Sequence, residues 1–213
     1  AKRNNEQDID TYNMIKLMER IQDLGVGIIG FTGGEPLLRD DLEEIIGSID
    51  ERSVTFVFST GYGLTYERAK RLKDSGLFGI AISIDSADRN EHDAKRAFDG
   101  AYDIALEAIG NAKRAGLYTM SQTVCARELL SDEHLYSLAR LMGNLDVDEM
   151  RIIEPLPCGK LDSLEEVLLT ESESKKLMEF HVECNKNMKL PKASVFSYFE
   201  SDDQFGCGAG VQH

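Results

Sequence analysis

A chain of 213 residues with 42% hydrophobic content and 4 prolines is long enough to enclose one sizeable core, and it reads as one soluble domain. Its 38 acidic residues against 24 basic ones give a formal net charge of -14, which repels a phosphate backbone over most of the surface and argues against nucleic acid as a partner. The hydrophobic runs are too short or too interrupted to span a bilayer, and the polar start Ala1-Lys2-Arg3-Asn4 has no secretory pattern, so no membrane partner and a cytoplasmic location are expected.

In chain order, Ile15, Leu17, Met18 and Ile21 form an apolar stripe of helical period, closed by Gly25. Gly27–Phe31 then predicts a strand, followed at once by Gly33-Gly34-Glu35-Pro36. Asp40, with Glu43 three residues on, predicts the cap of a helix that buries Leu42, Ile45 and Ile46. Strand patterns follow at Val54–Ser59, Gly79–Ile84, Leu117–Cys125 and Met150–Glu154. Between them lie helices capped by Thr65, by Ser131 and by Thr170 with Glu173, and Gly76 and Gly116 stand where left-handed C-caps are wanted. Strand and helix alternate in units of roughly 25 to 40 residues, the length of a βα repeat in a parallel barrel or open sheet.

Four polar residues, Glu35, Ser59, Asp85 and Glu154, fall at or just beyond the C-terminal ends of predicted strands, the edge where such folds place their chemistry. Any one of them alone is a helix cap or a solvated loop residue. Glu35 stands out because two glycines before it let a backbone approach a ligand closely, its carboxylate suits an ammonium group, and Pro36 stiffens the exit turn. That combination suits a small cationic molecule.

Phe31-Thr32-Gly33-Gly34-Glu35-Pro36-Leu37-Leu38, Ser59-Thr60-Gly61 and Ala81-Ile82-Ser83-Ile84-Asp85-Ser86, followed by His92-Asp93 and Arg96, resemble the radical S-adenosylmethionine (radical SAM) enzymes over nearly the whole chain. The resemblance implies an α/β fold, a partial (β/α)6 TIM-like barrel of parallel strands with its first strand and cluster loop missing. Residues 1–190 would be the barrel core, and 191–213 the start of a C-terminal extension. It implies that Gly33, Gly34, Glu35 and Pro36 bind the amino group of the cofactor's methionyl part. Ser83 and Arg96 would meet its ribose and carboxylate, Ser59 would help to steady ribose and neighbouring groups, and Asp85 would bind ribose or substrate. Lys95 competes with Arg96 for that place, and His92 reads as a surface residue. In an intact parent carrying a [4Fe-4S] cluster and served by an electron donor, the cofactor would be cleaved to a 5'-deoxyadenosyl radical that takes hydrogen from a substrate.

One departure is plain. The family's Cys-x-x-x-Cys-x-x-Cys loop is absent, and Cys125, Cys158, Cys184 and Cys207 are too widely spaced, and too late in the chain, to replace it. The chain is therefore expected to be a fragment that by itself binds no cluster and is inactive. Phe205-Gly206-Cys207-Gly208 resembles the first cysteine of the auxiliary iron–sulfur cluster in the SPASM subgroup, whose substrates are often peptides or proteins. Cys125 reads as a small buried hydrophobe and Cys158 as a loop residue. Two alternatives stay open: a conventional barrel lyase or isomerase using Glu35 or Asp85 as acid or base, and a catalytically silent cofactor-binding domain.

Overall fold

Gly25, Gly76 and Gly116 stop helices in the left-handed conformation, at φ 84°, 106° and 76°, and deliver the chain into strands as their spacing predicts. The computed structural model describes residues 8–155, 168–187 and 189–196. Its elements are α1 (Thr11–Asp23), β1 (Ile28–Phe31), α2 (Leu42–Gly47), β2 (Val54–Ser59), α3 (Tyr66–Asp74), β3 (Gly79–Ser83), α4 (Arg89–Arg96), α5 (Ala101–Arg114), β4 (Tyr118–Val124), α6 (Asp132–Asn144), β5 (Glu149–Ile153), α7 (Glu171–Lys186) and β6 (Lys192–Phe196). The sheet order is β1-β2-β3-β4-β5-β6. A strictly sequential order of parallel strands is that of a (β/α)6 barrel, whereas a doubly wound sheet reverses at a switch point.

Five strands lie within one residue of their expected positions. The sixth, Lys192–Phe196, was not anticipated, because its lysine and serine break the apolar run that marks the others. It pairs parallel to β5, Glu149 opposite Lys192 and Ile153 opposite Phe196, and so carries the sheet past residue 190.

The chain divides into two compact units, Ala1–Ser83 with Asp103–Thr119, and Ile84–Tyr102 with Met120–His213. In the first, Met18, Ile29 and Ile45 form a cluster under Met14, Ile15, Ile21, Phe31 and Ile49. Leu42, Ile45 and Ile46 are buried as their spacing predicts. Leu17 is not: it is 40% exposed, one helical step round from Met18, and Met14 fills its expected place in the stripe. Nor does Asp40 cap α2. Asp41 stands at that N-cap position without a side-chain bond to the helix, since Arg39 and Thr11 occupy its carboxylate and the Arg39 bond holds its pKa below the usual range.

In the second unit, Met120, Met150 and Ile152 are buried in the strands, and Leu135, Leu138, Ala139, Met142, Leu177 and Cys184 in the helices. Tyr136 of α6 meets Phe180 of α7 edge-on at 5.0 Å. Ser131 caps α6, and Thr170 with Glu173 closes a full capping box on α7, both as their sequence signatures predict.

Candidate functional site

Within the first unit the chain leaves β1, passes Gly33 at φ 135°, and enters a short 3-10 turn at Pro36–Leu38 whose N-cap is Glu35. A side chain added at Gly33 or at Gly34 would meet no atom within 4 Å. The protein's own packing does not require the missing side chains, so the bend leaves open space beside the acid.

Glu35 is half-buried, and its carboxylate accepts four hydrogen bonds: Oε1 from Ser59 Oγ at 2.7 Å and from Leu37 N at 3.1 Å, Oε2 from Thr60 N at 2.8 Å and from Thr60 Oγ1 at 2.6 Å. Ser59 is buried and its Oγ also accepts from Gly61 N at 2.8 Å, so its hydroxyl proton is directed to the acid. Gly61 is at φ 88°, and a β-carbon there would fall 2.6 Å from the Ala108 methyl. Only glycine fits that turn, which aims Ser59 and Thr60 at Glu35. Sequence reasoning found Glu35 and Ser59 but missed Thr60, an exposed threonine after a strand; its one signal was a second hydroxyl directly beside the first.

Ser83, the last residue of β3, is half-buried. In the second unit, Asp85 follows immediately and is 8% exposed. Arg96 Nε lies 2.8 Å from its Oδ2, although the N–H is not directed along that line. The Asp85 peptide is gripped from both sides: its N–H donates to His92 Nδ1 at 3.0 Å, and its carbonyl accepts from His134 Nε2 at 3.0 Å. His92 is therefore not a surface residue. It is 1% exposed, with its pKa lowered chiefly by burial, and Tyr102 packs edge-on against it at 6.0 Å. Lys95 pairs with Glu128, and Arg96 is the cation that reaches Asp85. Asp93 accepts from Gly100 N and Tyr102 N, which lowers its pKa and anchors the start of α5. Glu154, just past β5, is buried and accepts from Ser174 Oγ at 2.6 Å.

Cluster ligation fits none of the described cysteines. Burial pushes the Cys125 thiol up to about 12 and the Cys184 thiol up to about 11, which opposes the thiolate form that iron binds. No three His, Cys, Asp or Glu side chains among the described residues converge as a metal-binding group. Cys158 and Cys207 lie outside the described residues.

Comparison with known proteins completes the picture. The model of the Radical SAM superfamily matches residues 1–142. An "AdoMet-dependent heme synthase" of Nitratidesulfovibrio vulgaris is 29% identical over 82% of this chain and 47% of its own length. A "GTP 3',8-cyclase" of Aquifex aeolicus is 30% identical over 88% of this chain and 59% of its own. The chain thus spans about half the length of the curated relatives it matches. Among solved structures, Streptococcus suis SuiB bound to precursor peptide SuiA superposes with a TM-score of 0.77 over 92% of this chain and 44% of that one, at 12% identity; SuiB bound to S-adenosylmethionine gives 0.75, covering 92% and 45%, also at 12% identity. The latter two establish likeness of fold, and the family match over residues 1–142 establishes descent: the chain belongs to the radical SAM superfamily.

Proposed function

We propose that this chain is the cofactor-holding core of a radical SAM enzyme, in which Gly33, Gly34, Glu35 and Pro36 receive the methionyl amino group of S-adenosylmethionine. The observation that carries this is the Glu35 carboxylate, fixed at the strand ends by Ser59 and Thr60 beside a glycine bend that the protein's own side chains leave open. A carboxylate held by four donors is pre-aimed, so an amine that exchanges for one of them meets an acceptor already fixed in place. In this reading Ser83, in the same unit as Glu35, takes a ribose hydroxyl; within the second unit, Asp85 holds the Arg96 guanidinium, a group of the kind that pairs with a carboxylate.

Bound to a reduced cluster in an intact enzyme of this kind, the cofactor supplies a 5'-deoxyadenosyl radical for hydrogen abstraction. The described cysteines do not suit cluster ligation, so the cluster's ligands are assigned to the parent protein outside the described residues. The proposed core, expected over residues 1–190, takes in strand β6 as well, and the residues after it are the proposed start of a C-terminal extension, with Cys207 as a ligand of an auxiliary cluster of SPASM type. A peptide or protein is the proposed substrate, a reading supported by the SuiB likeness and its bound precursor peptide. The proposed setting is cytoplasmic, with an electron donor as partner. Among the described residues no helix is long and apolar enough to cross a membrane.

The test is anaerobic iron–sulfur reconstitution of the full-length parent, with S-adenosylmethionine and a reductant, followed by assay for 5'-deoxyadenosine. The reading expects product from the wild type and at least a tenfold loss in Glu35→Gln, since a hydrogen bond to a charged group is worth about 1.5–3 kcal/mol. No product from a reconstituted wild type removes the catalytic part.

A further inference from the structure

An ionised carboxylate has about four lone-pair sites. All four of Glu35 are occupied by protein donors: Leu37 N, Ser59 Oγ, Thr60 N and Thr60 Oγ1. A ligand's amino group must therefore displace one of them. The two peptide N–H groups belong to the 3-10 turn and to the chain leaving β2, and neither turns away without moving the backbone. The Ser59 hydroxyl is buried and its oxygen is held on the other side by Gly61 N, so it does not turn to bulk water as an exposed hydroxyl does. Thr60 is exposed; its hydroxyl alone of the four can rotate to water, and among the described residues its one other hydrogen bond is a long one of 3.5 Å, accepted from Tyr62 N.

We infer that the Thr60 hydroxyl is a placeholder for the ligand's amino group: it fills Glu35 Oε2 when no ligand is bound and swings away when an amine N–H arrives. This rests on the assignment of Glu35 to the methionyl amine, and it adds the residue that sets the cost of exchange at that oxygen. The placeholder keeps the acid aligned in the free protein and excludes ligands that bring no strong donor, because those leave the exchange uncompensated. Thr60 is a positioning and selectivity residue here, acting through Glu35.

The test is a calorimetric titration of the chain with S-adenosylmethionine, comparing wild type, Thr60→Val, Thr60→Ser and Glu35→Gln, with a thermal melt of each to confirm folding. Valine keeps the peptide N–H and the shape but removes the competing proton, so binding is expected to tighten about fivefold, the scale of one modest net hydrogen bond. Serine retains the hydroxyl and should bind as the wild type does. Should Thr60→Val melt early, Thr60→Ala serves for the same comparison. Unchanged or weaker binding in the valine or alanine variant, with Glu35→Gln still weakening it at least tenfold, overturns the placeholder and leaves the Glu35 assignment standing. Binding of wild-type strength in Glu35→Gln overturns the assignment, and the placeholder with it.

Discussion

The cluster around Glu35 is built from side chains whose identities follow from tight local geometry. Gly61 is the sharpest case: at φ 88° and 2.6 Å from the Ala108 methyl, a β-carbon is both conformationally strained and overpacked. Gly61→Ala is expected to cost about 1–3 kcal/mol, read as a lower urea midpoint at unchanged slope. A midpoint equal to that of the wild type would show that the turn tolerates a side chain. The sequence marked Glu35 because a carboxylate after paired glycines has few structural uses. It did not mark Thr60, since an exposed threonine beyond a strand looks the same whether it bonds an acid or water.

His92 was misjudged for a similar reason, as it sits in the polar helix α4 whose other faces meet solvent. Its Nδ1 accepts from Asp85 N, so the ring is held neutral, and burial sets its folded pKa below the ordinary value. The unfolded chain therefore binds the proton more readily. The stability from this group is complete above about pH 6.5 and is lost as pH falls from there through the folded pKa. Melting temperature measured from about pH 7.5 down to about pH 5.5 should fall more steeply for the wild type than for His92→Gln, which keeps an acceptor but does not titrate. Parallel curves for the two proteins would refute this.

At the level of elements, caps were legible where the capping residue had no competing partner. Thr65, Ser131 and Thr170 each accept the expected backbone N–H. The start of α2 was misread because Arg39 and Thr11 claim the acid at its N-terminus, a contact spanning thirty residues in the case of Thr11 that local pattern cannot reveal. The capping box on α7 is reinforced by Arg127, whose Nε lies 3.0 Å from Glu173 Oε2. Thr170→Ala should lower stability by about 1 kcal/mol in chemical denaturation, and an unchanged midpoint would mean that the Arg127 contact alone holds that end. Strand β6 escaped notice because Lys192 and Ser194 interrupt its apolar character, so that only pairing with β5 identifies it.

At the scale of the molecule, alternation of strand and helix was enough to fix a parallel α/β chain, and the sequential strand order agrees with it. Composition could not supply the candidate residues; that required placing Glu35 and Ser59, and in the second unit Asp85, at strand ends and finding what each one touches. The structural work of Asp85 within its own unit, gripped by His92 and His134 and paired with Arg96, was invisible in sequence because its partners lie seven, eleven and forty-nine positions away. The central claim is that Glu35 holds an amine. Its most direct test is a double cycle in which wild type and Glu35→Gln are each titrated with S-adenosylmethionine and with an analogue lacking only the amino group. The account predicts that removing the amine weakens binding to the wild type at least tenfold, or about 1.4 kcal/mol, and hardly alters binding to the variant. An equal loss in both proteins would place the amine elsewhere and contradict it.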